Sequence, residues 1–356
     1  MEDTYKKDMD SRGRYIYLDL LRILAILFVL FNHTSKWGFF LFAQKNPTSF
    51  AFWVDLFFTV CCKFAVPTFF AISGALYLNP AKNISLKKWI WKVVYNIGIL
   101  LGISVLYYLV DIEKKHTSFS AEYFFQTIYS NNHQYHLWFL YAYILFIISM
   151  PLLRSFVRGM KRSHYYYLIL LHIFYKGILP VAEYLLFSGR ITLNSNLKAA
   201  WVITDIIIYP LIGYGLHSKA IEIKGIKLLL LWIANLITIA VSSYMTYYQS
   251  VVTGVLTEGK SQGFLRCFEI LNLLAIWETV RMLFDHYNCS KTTSKIISWL
   301  GSASFGVFLI HPFFVNDLFE LRRKYFTYIE SQFGSESIPM FFAFVFLCSL
   351  SGFCVY

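Results

Sequence analysis

Arg22 and His33 stand at the two ends of one apolar run, RILAILFVLFNH, and they are eleven residues apart. In a helix this spacing is close to three turns, so both side chains share a face, about 16 Å apart along the axis. Asp19 lies three residues before Arg22 and can pair with it on that face. Because an intramembrane arginine is costly unless it is paired or faces a polar cavity, we expect this face to line a polar tunnel. The alternative is an Asp19–Arg22 ion pair that locks helices together, with His33 at the membrane interface.

Two further histidines are expected at a depth similar to that of His33. His136 begins the segment HLWFLY, and His311 lies in SFGVFLIHPFF. A neutral imidazole is suited to take a proton from a hydroxyl near pH 7, so three histidines could form one acid–base site. The alternatives are that His136 is an interfacial residue beside Trp138 and that His311 fixes a bend beside Pro312. No His-x-x-x-His pair or carboxylate cluster accompanies them, so we expect no metal.

Three other polar residues stand inside apolar runs. Lys63 lies near the middle of its run, where a lysine requires a partner or a cavity. It could contact a cofactor or pair with a carboxylate. Asp55 is either an interface residue or a partner that orients a histidine. Ser73, followed by glycine, fits a small-residue helix contact or a hydrogen-bond donor.

The elements that must position these residues are membrane helices. The chain has 356 residues, of which 57% are hydrophobic and 15% charged, with a mean hydropathy of +0.53. Soluble globular domains have about 25% charged residues, so the composition excludes two soluble domains. The net charge of +12 is spread over short gaps between apolar runs and forms no stripe for nucleic acid. Most of the cysteines lie inside the apolar runs, and none has the spacing of a zinc site. We therefore interpret them as packing residues.

Ten runs approach the roughly 20 apolar residues that a membrane helix needs. They are residues 15–34, 51–79, 89–110, 137–153, 165–187, 198–217, 228–248, 264–284, 296–318 and 338–356. We therefore expect an all-α, polytopic integral membrane helical bundle of about ten transmembrane helices, with Pro67 kinking the long second one. The first run contains Arg22 and lacks a small-residue cleavage site, so we expect an uncleaved span.

The basic residues orient the bundle. Lys and Arg are more frequent in the segments on the side of the N-terminus, which places both termini in the cytosol of a multi-pass protein of the cytoplasmic membrane. Three basic residues at 322–324, in a predicted outer loop, oppose this orientation weakly. No internal repeat is visible, although many transporters have one.

Four segments resemble motifs of the membrane-bound acyltransferase family 3. The first, YLDLLRILAILFVLFNH, is similar to the family's first span, with an arginine and a histidine in this spacing. The others are FAVPTFFAISGALYL, HLWFLYAYILFIISMPLLR and SFGVFLIHPFF. The resemblance begins near residue 15 and extends to the last span. It implies a cytosolic segment, 1–14, followed by an acyltransferase transmembrane domain, 15–356.

The resemblance also implies a reaction. Members of this family move an acyl group, usually acetyl, from cytosolic acyl-coenzyme A to a hydroxyl of an extracytoplasmic glycan, lipid-linked sugar or other envelope molecule. His33 would be the essential histidine, acting as general base, and Arg22 the first-span arginine. The segment SLKKWIWK is similar to the family's basic motif, with lysines where many relatives carry arginines. Lysine attracts phosphate as a point charge, without the bidentate geometry of arginine.

We expect three groups of site residues and two rival functions. The catalytic group is His33, Arg22, Asp19 and His311, and His311, Asn32 and Ser73 are candidate oxyanion donors. The cofactor-binding group is Lys63, Ser73, Lys87, Lys88 and Lys92. The acceptor-binding group is Asn32, Asp55, His136 and Trp138. Acetyl-coenzyme A is the expected donor, and no nucleic acid is expected. The rivals are a transporter or flippase for a polysaccharide or lipid-linked sugar, and a membrane scaffold.

Overall fold

The structure, a computed structural model, describes residues 14–34, 39–116, 118–197, 204–253, 264–286 and 289–317. Within these ranges twelve α-helices, some joined by short 3-10 or π turns, account for the regular structure. They are α1 (Ile16–Asn32), α2 (Phe50–Cys61), α3 (Ala65–Tyr77), α4 (Leu86–Lys115), α5 (Ala121–Tyr129), α6 (Trp138–Arg158), α7 (Arg162–His172), α8 (Leu179–Phe187), α9 (Asp205–His217), α10 (Ile226–Thr253), α11 (Glu269–His286) and α12 (Lys291–Asp317). The described part of the chain is therefore all-α, as expected.

Six helical stretches in these ranges are long and apolar enough to cross a membrane. They are Phe50–Tyr77, Leu86–Lys114, Tyr135–Arg158, Arg162–Phe187, Ile226–Ser250 and Lys291–Phe313. The expected count of about ten is not confirmed. Helix α1 has 17 residues and α9 has 13, which makes them short for independent spans. The predicted span 338–356 lies outside the described residues.

The long second run is broken before its proline. A 3-10 turn, Cys62–Phe64, separates α2 from α3, and Pro67 lies in the first turn of α3. A proline there costs no helical hydrogen bond, because the first backbone N–H groups of a helix have no partner within it. The interruption therefore lies at Cys62–Phe64, and it carries Lys63.

Helices α3 and α9 make the closest crossing in the bundle. A Cβ atom added to Gly74 of α3 would overlap the backbone of Pro210, and one added to Gly213 of α9 would overlap the backbone of Ala71. The two helices therefore touch backbone to backbone, as small residues allow in membrane bundles. Gly74 thus makes the small-residue contact that the Ser73-Gly74 pair predicts.

Helix α1 is the centre of the bundle. It packs against α3, α11 and α12, and residues such as Leu21, Ala25 and Ile26 have no exposed surface. Gly301 of α12 lies so close to α1 that an added Cβ would be 2.7 Å from Cβ of Asp19. We call the end of the bundle where α1 begins the Arg14 end, and the opposite end the histidine end.

Candidate active site

Three histidines from separate elements meet at the histidine end. Nδ1 of His33, just after α1, lies 2.6 Å from Nε2 of His311 on α12. The two rings stack with centroids 4.7 Å apart. The ring of His136, in the 3-10 turn Tyr135–Leu137 before α6, is 5.1 Å from that of His311. The structure therefore brings together the three histidines that the sequence placed at one depth.

The hydrogen bonds of this cluster assign its tautomers. Nδ1 of His311 is 2.7 Å from the carbonyl oxygen of Phe308, which can only accept, so this nitrogen carries the proton. In the neutral ring Nε2 of His311 then accepts, and Nδ1 of His33 must donate to it. The lone pair of His33 is left on Nε2. His33 is therefore held in the tautomer that can remove a proton from a substrate.

The neighbours of His33 are polar on one side and aromatic on the other. Asn32, the preceding residue, accepts a hydrogen bond of 2.9 Å from Nζ of Lys63 through its side-chain oxygen. The same ammonium lies 4.1 Å from the ring centroid of Phe39. The ring of Tyr135, about half exposed, meets that of His33 edge-on at 5.1 Å. Lys63 and Asn32 thus flank the histidine at one end of α1, and the interruption between α2 and α3 places Lys63 there.

His136 is fully buried and anchored to α12. Its Nε2 lies 3.4 Å from the carbonyl oxygen of Leu309, which also accepts a 2.9 Å hydrogen bond from the hydroxyl of Tyr107. The contact of His136 with His311 is ring to ring. This arrangement supports the position of His311, and the ring of Tyr135 contacts both His33, at 5.1 Å, and His136, at 5.8 Å.

An ion-pair triad lies at the opposite end of α1. The carboxylate of Asp19 is completely buried and pairs with both Arg14, at 2.8 Å, and Arg22. A carboxylate shared by two guanidinium groups leaves a net positive charge. The predicted Asp19–Arg22 pair is present, and Arg14 joins it.

A cavity of about 520 Å³ extends from this triad along α1 toward the histidine end, and its last lining residue on α1 is Val29. Asp19, Arg22 and Val29 form its wall on α1, and the other walls belong to α3, α4, α6 and α12. Four cations lie along it or at its mouth: Arg14, Arg22, Lys82 and Lys92. The remaining lining is largely apolar and aromatic. A cationic mouth followed by an apolar shaft suits an elongated ligand that has an anionic head and a neutral arm.

The predicted basic motif is divided by helix geometry. Lys92 lines the cavity and its ammonium lies 3.5 Å from the ring centroid of Tyr77. Lys87 and Lys88, in the first turn of α4, are exposed and do not line it. Ser73 does line the cavity, and its hydroxyl donates a 2.8 Å hydrogen bond to the carbonyl of Phe69.

Two of the predicted acceptor-binding residues lie apart from the histidine cluster. Asp55 is buried and forms a 2.8 Å ion pair with Lys45, which gives it a structural partner. Trp138 is 38% exposed on the outer surface of α6, as an interfacial tryptophan is. Among the described contacts, neither reaches a histidine of the cluster.

A second, partly buried ionic cluster was not predicted from the sequence. Arg266 pairs with Asp205 at 2.6 Å and with Glu269 at 2.9 Å, and Lys176 lies 3.1 Å from Asp205. The hydroxyl of Tyr209 donates to Glu269 at 2.8 Å. The signal was available, since each of these charges falls within a predicted span, where ionisable residues need partners. Arg154, which the sequence places at the inner face with Lys92, donates to the carbonyls of Tyr77 and Lys82 and holds the loop at the cavity mouth.

In the described ranges, no group of three or more His, Cys, Asp and Glu side chains is arranged to hold a metal ion.

Comparison with known families gives one match. The family model of the acyltransferase family 3 domain matches residues 15–356, nearly the whole chain. No curated protein and no solved structure matches the chain. The match covers every element of the candidate site from α1 to α12.

Proposed function

Because the chain belongs to acyltransferase family 3 and is a membrane acyltransferase, we propose that it moves a short acyl group, such as acetyl, from cytosolic acyl-coenzyme A to an extracytoplasmic hydroxyl. The acceptor class is an envelope glycan, a lipid-linked sugar or a related molecule. The observation that carries this proposal is the tautomer of His33, which leaves a basic nitrogen one helical turn beyond the inner end of a cavity with a cationic mouth.

The donor enters at the Arg14 end. Arg14, Lys82 and Lys92 attract the phosphates of the coenzyme, and the positive-inside bias of the sequence supports a cytosolic location for this end. The neutral pantetheine arm follows the apolar shaft along α1, past Arg22. Arg22 keeps its positive potential because Asp19 is shared with Arg14. Of the predicted lysines, Lys92 contacts the donor, while Lys87 and Lys88 contribute long-range attraction.

Acyl transfer takes place at His33. Nε2 of His33 removes the proton of the acceptor hydroxyl as its oxygen attacks the thioester carbonyl carbon. The new C–O bond forms and the C–S bond breaks. The proton on His33 then passes to the departing sulfur, which leaves as the free thiol. His311 holds the imidazole of His33 in place through the 2.6 Å hydrogen bond.

Lys63 stabilises the negative charge that develops on the thioester oxygen. Its ammonium has three donors, and the described hydrogen bond to Asn32 uses one of them. A fixed cation aimed at the developing charge is the usual source of such stabilisation. In this proposal Lys63 acts at the acyl group, whereas the sequence placed it with the coenzyme, and His311 positions His33 and does not serve as an oxyanion donor.

The proposal is tested with purified protein in lipid nanodiscs. Radiolabelled acetyl-coenzyme A and an extract of envelope glycans are added to the wild type, His33→Ala and His286→Ala. His286 is an exposed histidine whose ring hydrogen-bonds to the carbonyl of Met282 in its own helix, which makes it a matched control. We expect label in the glycan fraction with the wild type and His286→Ala, and none with His33→Ala. A wild type that neither binds nor turns over any acyl-coenzyme A would overturn the proposal and favour a transporter.

A further inference from the structure

The cavity stops one helical turn short of the histidine cluster. On α1 its last lining residue is Val29, four residues and about 6 Å before His33. On α12 its last lining residue is Phe308, three residues and about 4.5 Å before His311. Two separate helices thus place the same short gap between the cavity and the histidines.

Two aromatic rings fill this gap. Phe139 of α6 and Phe308 of α12 meet edge to face, with centroids 5.2 Å apart. Both line the cavity, and both are nearly buried, at 8% and 7% exposure. Edge-to-face rings at this distance are in contact and leave no passage between them.

The histidines lie directly behind Phe308. Its ring is 5.6 Å from that of His136 and 6.1 Å from that of His311. Phe139 packs against Phe70, with ring centroids 5.0 Å apart, so it has little space in which to move. Phe308 therefore lies between the cavity and His311, the hydrogen-bond partner of His33, and its side chain must turn for a thioester to pass to His33.

We propose that Phe139 and Phe308 are specificity-determining residues that admit an acetyl-sized group and reject longer acyl chains. This inference rests on the proposed function. To bring the thioester to His33, the acyl group at the end of the arm must first pass through the space bounded by these rings. Close packing means that each added methylene must displace an aromatic ring or its neighbours. The pair thus sets the donor class as short-chain acyl-coenzyme A.

The test compares acyl-chain preference among variants of the full-length protein in nanodiscs. Acetyl-, butyryl- and hexanoyl-coenzyme A are supplied, and kcat/KM is measured as release of free coenzyme A in the presence of envelope glycan. The variants are Phe308→Ala and Phe139→Ala. Phe156→Ala is the control, because Phe156 lies on the same helix as Phe139 but is 53% exposed and outside the cavity.

We expect the wild type and Phe156→Ala to prefer acetyl strongly. In Phe308→Ala the butyryl-to-acetyl ratio of kcat/KM should rise at least about tenfold. This is the range of discrimination that one or two methylene groups give in an apolar pocket. Phe139→Ala should shift the ratio in the same direction. If alanine prevents folding, Phe308→Leu and Phe139→Leu keep most of the volume and should give a smaller shift of the same sign.

Two results would count against the inference, and they differ from failure of the proposed function. Equal use of butyryl- and acetyl-coenzyme A by the wild type would overturn it. An unchanged butyryl-to-acetyl ratio of kcat/KM in every folded, active variant of Phe139 and Phe308 would also overturn it. If the wild type neither binds nor uses any acyl-coenzyme A, the proposed function itself fails and the inference falls with it.

Discussion

His33 and His311 share one hydrogen bond of 2.6 Å and stack with their ring planes 6° apart. One ring belongs to the residue that follows the first described helix, and the other comes from the last described helix. The carbonyl of Phe308 fixes the proton of His311, and through it the proton of His33. A neutral imidazole therefore occupies the place that a carboxylate often takes in orienting a catalytic histidine.

This arrangement predicts that glutamine can replace His311 better than alanine can. A glutamine amide can donate to the Phe308 carbonyl while its oxygen accepts from Nδ1 of His33. We expect His311→Ala to lower kcat for acyl transfer by about 10²-fold, within the range of acid–base contributions, with KM for the donor little changed. His311→Gln should retain more of kcat.

The comparison of these two variants separates positioning from a merely structural role. If kcat falls equally in His311→Gln and His311→Ala while both variants fold and bind the donor, the positioning role assigned to His311 is wrong. Thermal unfolding of each variant in detergent provides the control for folding.

The division of the basic motif predicts unequal roles for two lysines on one helix. Lys92→Gln removes a charge that lines the cavity, whereas Lys87→Gln removes an exposed charge outside it. We expect the Kd for coenzyme A to rise about tenfold in Lys92→Gln, equivalent to 1.4 kcal/mol. The change in Lys87→Gln should be smaller and should vanish at high salt, because exposed charges are screened. Equal changes in both variants at every salt concentration would contradict donor binding in this cavity.

The crossing of α3 and α9 predicts opposite effects of two glycine substitutions. Gly213→Ala places a methyl group against the backbone of Ala71 and should lower the unfolding temperature or prevent folding. Gly102→Ala has open space around it on α4 and should be neutral or stabilise its helix by up to about 1 kcal/mol. Thermal unfolding of both variants measures this. A Gly213→Ala protein as stable as the wild type would show that the backbones do not touch there.

The triad around Asp19 predicts a loss of stability when its carboxylate is removed. Asp19→Ala leaves Arg14 and Arg22 without their shared partner, at a cost of roughly 1–3 kcal/mol for a hydrogen bond to a charged group. Asp19→Asn keeps an acceptor and should lose less. Unfolding in detergent should therefore rank the wild type first, Asp19→Asn second and Asp19→Ala last. An Asp19→Ala protein more stable than the wild type would mean that the carboxylate is held there for function alone.

The sequence was most informative where one helix carries the pattern. The spacing of Asp19, Arg22 and His33 follows from helix geometry. In the structure Asp19 and Arg22 line the cavity together, whereas His33, the residue after the helix, lies beyond the last lining residue. Contacts between helices were less accessible, because they depend on how the helices cross. The pairing of Asp55 with Lys45 and the ring contact of Phe139 with Phe308 leave no periodic signal in the sequence.

The division between span and turn was also hard to predict. Hydropathy indicates that residues 51–79 are apolar, but the change from α-helix to a 3-10 turn at Cys62–Phe64 does not alter hydropathy. Similarly, Asp205, the first residue of α9, pairs with Arg266 and Lys176, which lie far away in sequence. Charges within apolar runs indicate that such partners exist without identifying them.

The most direct test of His33 as the general base is a single-turnover measurement on His33→Ala. Wild type and variant are saturated with labelled acetyl-coenzyme A, and the rate of acetyl transfer to glycan is followed after equal donor binding has been verified. We expect the rate in the variant to fall by about 10²–10⁴-fold, the contribution of a positioned general base. Transfer at the wild-type rate in a variant that binds the donor equally well would show that His33 is not the base.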